Sequence, residues 1–183
     1  MYALTNKERQ EIINYCEQHG ACEDEFERLA NSKTDNEFIK VLTNNLAWCV
    51  NNKLHMEFEE LFLRKELWST ITNDYYKYIY CEHVKDRKEL WATITNDYYK
   101  CLYCRDVTDR KEMWSTITND YFKIMYCKNV KDRKELWSTI TDDHYKYMYC
   151  ENVKDRKELW STITDDHYKY MYCEYVKDRK ELW

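Results

Sequence analysis

Glycine occurs once, at Gly20, and proline not at all in 183 residues. A single glycine cannot build the loop that cradles a phosphate, and a flexible glycine- or proline-rich linker has no compositional support. No run of about 18 apolar residues exists, so no membrane-crossing helix is expected. The opening Met1-Tyr2-Ala3-Leu4-Thr5-Asn6-Lys7-Glu8 lacks the apolar core and cleavage site of a secretion signal, which points to the cytoplasm. Positive charge is not in excess: 29 Lys and Arg against 34 Asp and Glu give a formal charge of −5. That balance argues against a protein whose main task is neutralising phosphate. A nucleophile elbow, paired catalytic carboxylates and a zinc-protease motif are also missing. The chain is therefore expected to be no enzyme and to carry no cofactor.

What is present is apolar and periodic. At 44% hydrophobic and 16% aromatic residues the chain can bury a core. Arg-Lys-Glu-Leu-Trp, with Met113 for the Leu in one copy, opens at Arg64, Arg87, Arg110, Arg133, Arg156 and Arg179, a spacing of 23 residues each time. A fixed period of this length marks units that stack on their neighbours because none can bury its apolar face alone. The chain accordingly divides into a helical head over 1–53, a junction over 54–63 and, over 64–183, five repeats plus the start of a sixth.

In the head, Thr5-Asn6-Lys7-Glu8 and Thr34-Asp35-Asn36-Glu37 are capping boxes, each opening a helix. Gly20 marks the end of the first helix, and a second is expected over Glu23 to Ala30 around Phe26 and Leu29. Leu46, Trp48 and Val50 complete the head, and residues 54–63 are expected to run as helix straight into the first repeat.

Inside the repeat, Thr-Ile-Thr and the tyrosine runs favour strand by propensity. Periodicity favours helix: Leu90, Trp91 and Ile94 fall at i, i+1 and i+4. In the second half the positions of Tyr99, Leu102, Tyr103, Cys104 and Val107 stay apolar in all copies, the spacing of a helix with one buried side. Asn96-Asp97 and its equivalents begin that helix, and Asp86-Arg87-Lys88-Glu89 reads as an N-cap with a glutamate at N3. The expectation is an all-α protein, a short helical head followed by an α-solenoid of 23-residue helix-turn-helix repeats. Each repeat holds two helices of about two to three turns, with the Trp68 to Trp160 and Tyr80 to Tyr172 rows between copies.

On the Asp132-Arg133-Lys134-Glu135 opening, the Asp142-Asp143 turn and Tyr149-Cys150, the copies resemble a tandem short helical-hairpin repeat of unknown function in bacterial, phage and protist proteins. Cysteine stands where that family has a small Ala, and Asp where it has a turn Gly. The resemblance covers residues 64–183 and implies an α-helical stack, with no activity attached.

Several features carry candidate chemistry. Cys101-Leu102-Tyr103-Cys104 has metal or redox spacing but occurs in one copy only, with no second pair to complete a zinc site; no metal is expected. The recurring Cys81, Cys104, Cys127, Cys150 and Cys173 read as reduced packing residues. His144 and His167 are equivalent and read as partly exposed surface residues. The row Lys77, Lys100, Lys123, Lys146 and Lys169 reads as a solvated face, with a single-stranded nucleic acid contacting it as the alternative. The Thr-x-Thr row would suit an ice-binding surface only if the copies were β-solenoid coils. The expected function is a scaffold for protein–protein interaction, its binding surface at the varying positions Tyr75, Glu82, His83, Arg105, Asp106, Lys128, His144, His167 and Tyr175. The ending Leu182-Trp183, just inside a sixth copy, adds an expectation of self-association through an uncapped end.

Overall fold

A computed structural model describes residues 4–182, and every regular element among them is helical. Met1 to Ala3, where a leader segment was sought, and Trp183, with its expected end contact, lie outside the described residues. No helix of the described residues is long and apolar enough to cross a membrane. The chain forms two compact units, Met1–Ile94 and Thr95–Trp183.

The first unit contains α1 (Asn6–Gln18), α2 (Glu23–Ala30), α3 (Asp35–Asn44), α4 (Leu46–Asn51), α5 (Leu54–Glu57), α6 (Glu59–Leu63), α7 (Lys65–Trp68), α8 (Asp74–His83) and α9 (Lys88–Trp91). Both capping boxes form. The Glu8 amide donates to Thr5 Oγ1 at 3.1 Å while the Glu8 carboxylate accepts from the Thr5 amide at 2.7 Å, and Thr34 and Glu37 do the same at 3.2 and 3.1 Å. Gly20 follows the C-cap with φ +70°, the left-handed turn that glycine enters without a Cβ penalty. Arg9 bridges to Asp35 at 2.9 Å and lies over the Phe38 ring, tying α1 to α3 across a core of Ile12, Cys16, Leu29, Phe38, Leu42 and Leu46.

The junction is not one helix. Lys53 turns left-handed at φ 60°, Phe58 leaves helical geometry at ψ 44°, and Arg64 is extended at ψ 141°, so residues 54–63 fold as α5 and α6. This staggered path lets α3 pack on α7 and α4 on α8. The head thereby stands where a preceding copy would. The substitution extends to single hydrogen bonds: Tyr80 donates to the Phe62 carbonyl at 2.7 Å and Arg87 Nη2 to the Leu63 carbonyl at 3.0 Å.

The second unit contains α10 (Asp97–Asp106), α11 (Lys111–Trp114), α12 (Asp120–Asn129), α13 (Lys134–Trp137), α14 (Asp143–Asn152), α15 (Lys157–Trp160), α16 (Asp166–Tyr175) and a 3₁₀ turn over Lys180–Leu182. Long helices pack on long helices of the next copy and on the short helix that follows them, which is an α-solenoid. The first helix of each copy is a single turn rather than two or three. Ser115 ends α11, and the β-branched Thr116-Ile117-Thr118 leaves the helix, with the Thr116 hydroxyl donating to the Met113 carbonyl at 2.9 Å. Ile117 is still buried, at 4% exposure, so the apolar spacing survives the shortened helix.

The long helices start as expected: Asn96, Asn119, Asp142 and Asp165 accept from the amide two residues on at 2.9–3.0 Å. The short ones do not. Their N-cap is the extended Arg110, Arg133 or Arg156, with no side-chain cap. The preceding aspartate is drawn to another copy instead. Asp109 accepts from the Tyr126 hydroxyl and from Arg133 Nη2, while Arg133 Nε donates to Tyr126 Oη at 2.7 Å and its guanidinium lies 4.5 Å from the Trp114 ring centre. Asp132 likewise accepts from Tyr149 and Arg156 Nη2 with Arg156 over the Trp137 ring, but Arg156 Nε makes no hydrogen bond among the described residues. Asp155, Tyr172, Arg179 and Trp160 repeat the full contact, with Arg179 Nε 3.5 Å from Tyr172 Oη. The tyrosines are fully buried. The tryptophan and tyrosine rows therefore join copies through an arginine and an aspartate as well as by apolar contact.

Candidate functional site

The expected contact positions lie at the two ends of the long helices. Tyr75, His144 and His167 sit at the N-terminal end, and Glu82, His83, Arg105, Asp106, Lys128 and Tyr175 at the C-terminal end. At ~1.5 Å rise per residue the two ends stand ~10 Å apart on one helix, so on each helix these positions are separated rather than adjacent. In the first unit Tyr75 and Glu82 are half-buried, and His83 is exposed with its Nε2 3.2 Å from Glu82. In the second unit Arg105 pairs with Asp106 at 2.7 Å, Lys128 reaches Asn152 of the next copy at 3.2 Å, and Tyr175 is 58% exposed. His144 is partly exposed, packed against Tyr168 of the next copy with ring centres 5.2 Å apart, and His167 is exposed.

The lysine row is not a solvated face. Lys77, Lys100, Lys123 and Lys146 are buried, at 7–8% exposure, and only Lys169 is half-buried. Lys123 Nζ donates to Asp120 at 2.7 Å and to the Thr139 carbonyl of the next copy at 3.0 Å, and Lys77, Lys100 and Lys146 repeat the pattern. The other carboxylate oxygen of Asp120 accepts from the amides of Thr141 and Asp142 and from the Thr141 hydroxyl. Burial by itself would raise the carboxyls of Asp97, Asp120 and Asp143, but the neighbouring ammonium and these donors outweigh it and hold all three below the usual aspartate range. The ammonium of each buried lysine is thus consumed within the fold, and the hydroxyls of Thr116, Thr118, Thr139 and Thr141 point at backbone carbonyls and aspartates instead of forming a flat outer surface.

Cys101 and Cys104 are buried and face different partners, the Phe122 carbonyl at 3.3 Å and the Arg110 carbonyl at 3.9 Å. Burial pushes their thiols up to about 12 and about 11, away from the thiolate that metal binding or redox exchange requires. Cys81, Cys127, Cys150 and Cys173 make the same contact as Cys104, to the carbonyl of the arginine six residues on at 3.8–3.9 Å. A small side chain there lets the connector approach the helix. Among the described residues no three His, Cys, Asp or Glu converge to hold a metal.

Sequence reasoning missed the outward stripe of the long helices. Leu102, Met125, Met148 and Met171, expected on the buried side, are half-exposed. They lie four residues after Tyr98, Tyr121, His144 and His167, the i, i+4 spacing of one helix face. Tyr98 and Tyr121 are 42% and 47% exposed. Between α12 and α14 the stripe deepens into a groove of ≈ 260 Å³ lined by Tyr121, Ile124, Met125, Lys128, Met148 and Asn152. The available signal was that this position alternates among Ile, Leu and Met while its neighbour Tyr103 never changes. Compared with known protein families, curated proteins and solved structures, the chain matches none of them.

Proposed function

We propose that the chain is a non-enzymatic scaffold that binds another protein along the outward stripe of its long helices. The observation that carries this reading is the alignment of exposed Tyr98 and Tyr121 with half-exposed Leu102, Met125, Met148 and Met171. Tyrosine and methionine are enriched at protein interfaces, and a thioether row can re-pack against a partner of irregular shape. Lysine–aspartate and tyrosine–aspartate–arginine contacts tie each copy to its neighbours, so the surface beneath a partner is held in place. Nine cysteines without a disulfide suit the reducing cytoplasm. The tandem short helical-hairpin family of bacterial, phage and protist proteins is the kinship this reading adopts. The buried lysine row speaks for a protein partner over a nucleic acid.

The test is a pull-down from cells of the source organism with the full chain and with a Tyr121→Glu, Met125→Glu, Met148→Glu variant. Partners are expected to be lost from the variant while its helical circular dichroism is unchanged. Retention of every partner would remove the assignment.

A further inference from the structure

The groove between α12 and α14 differs from the rest of the outward stripe in its charge. Ile124, Met125 and Met148 give it apolar walls. Tyr121 in the first turn of α12 and Lys128 in its last turn mark the two ends, with Asn152 of α14 beside Lys128. At the helical rise the groove therefore runs for about 10 Å along the helices.

Among the described residues that line the groove, Lys128 alone is charged. Its place in the other copies is taken by Glu82, Arg105, Glu151 and Glu174. Arg105 is the one other cation of this row, and Asp106 holds it at 2.7 Å. Lys128 is exposed, and its ammonium donates to the neutral Asn152 Oδ1 at 3.2 Å. Glu151 is turned to other partners, the Tyr147 hydroxyl at 2.8 Å and Asn152 Nδ2 at 3.0 Å. An ammonium carries three donors, so the apolar groove ends in a cation able to take a carboxylate.

Charge complementarity selects that carboxylate. The chain as a whole carries −5, which repels an acidic tract and favours a segment with a single carboxylate. An extended segment would need a sheet edge to bond its backbone, whereas every regular element among the described residues is helical. A helix arrives with its backbone hydrogen bonds made. Both α12 and α14 end on the Lys128 side, and the negative ends of their dipoles favour the positive, N-terminal end of an incoming helix there.

We infer that the groove takes an amphipathic helix of a partner protein, running opposite to α12, with one glutamate at Lys128 and leucine-sized side chains three and seven residues later over Met125 and Tyr121. The spacing mirrors that of Lys128, Met125 and Tyr121 on α12 itself. Such a partner presupposes the protein-binding stripe proposed above and fixes its chemistry.

The test uses the full chain and the peptide acetyl-Ala-Glu-Ala-Gln-Leu-Ala-Ala-Gln-Leu-Ala-Gln-Ala-amide, held helical by a hydrocarbon staple that replaces two alanines of its far face. A second peptide carries Lys in place of the Glu. In titration calorimetry at about 50 mM salt, the glutamate peptide is expected to bind about fivefold more tightly than the lysine peptide. Lys128→Glu, a change at an exposed position, should reverse that preference. Met125→Asn should weaken both peptides, by about tenfold. Equal binding of the two peptides to the native chain, a preference unchanged in Lys128→Glu, or no binding of the stapled glutamate peptide would overturn the inference. The scaffold reading is tested apart, since partners lost from the variant with glutamate at 121, 125 and 148 would still support it if neither peptide bound.

Discussion

The buried Tyr126 hydroxyl donates to the carboxylate of Asp109, a residue 17 positions earlier in the preceding copy. Its counterpart in the first unit, Tyr80, donates to an uncharged carbonyl, that of Phe62. Hydrogen bonds to ionised acceptors contribute about 1.5–3 kcal/mol against about 0.5–1.5 for neutral ones. Tyr126→Phe is therefore expected to cost more stability than Tyr80→Phe, by about 1 kcal/mol, in urea unfolding of the two variants. An equal cost would mean that the aspartate adds nothing to the contact.

Lys123 is a charged group inside the fold, so its removal leaves Asp120 and the Thr139 carbonyl short of a donor. Lys123→Ala should cost about 3 kcal/mol, the scale for breaking a buried pair. Lys134→Ala, on the exposed side of α13, should stay within about 0.5 kcal/mol. The two midpoints in urea separate the roles of lysines that composition treats alike.

Asp97, Asp120 and Asp143 titrate lower in the folded chain than in the unfolded one. Their stabilisation is complete above the ordinary aspartate value of 3.8 and disappears as pH falls through the folded values. Unfolding midpoints should change little with pH on account of these groups between about pH 5 and 7, where their stabilisation is fully present, and decline below about pH 4. Asp120→Asn should be less stable at neutral pH and lose less on acidification, and an unchanged acid slope would contradict the clamp.

Thiol chemistry should distinguish the cysteines sharply. Cys22 is exposed, whereas burial raises Cys16, Cys104, Cys127 and Cys150 to about 11 and Cys101 to about 12. At about pH 8 the native chain is expected to show one fast-reacting thiol, abolished by Cys22→Ser, and all nine after denaturation. Rapid labelling at Cys104 would show that the connector beside it opens.

Much of the fold was legible because its signals are local. The capping boxes at Thr5 and Thr34 need only four consecutive residues each, and the helical reading of the tyrosine-rich half rested on spacing that propensity could not mask. What escaped depends on neighbours in space. Lys100 looks like a surface residue until Asp97 three residues before it and Thr116 one copy later are seen to enclose its ammonium. Met125 looks like core until its place four residues after exposed Tyr121 turns it outward. The short helix was overextended because Ile117 keeps helical spacing although Thr116 bonds back to the Met113 carbonyl and Thr118 bonds to Asp97 of the preceding copy.

The polar clamps of the second unit always join residues a fixed number of positions apart, such as Asp97 with Thr118 and Asp120 with Thr141. Excising or duplicating a whole 23-residue segment therefore presents each donor with an equivalent acceptor, whereas an insertion of any other length shifts every later match out of register. The array is in this sense modular, and its length can vary during evolution without a new interface having to be invented.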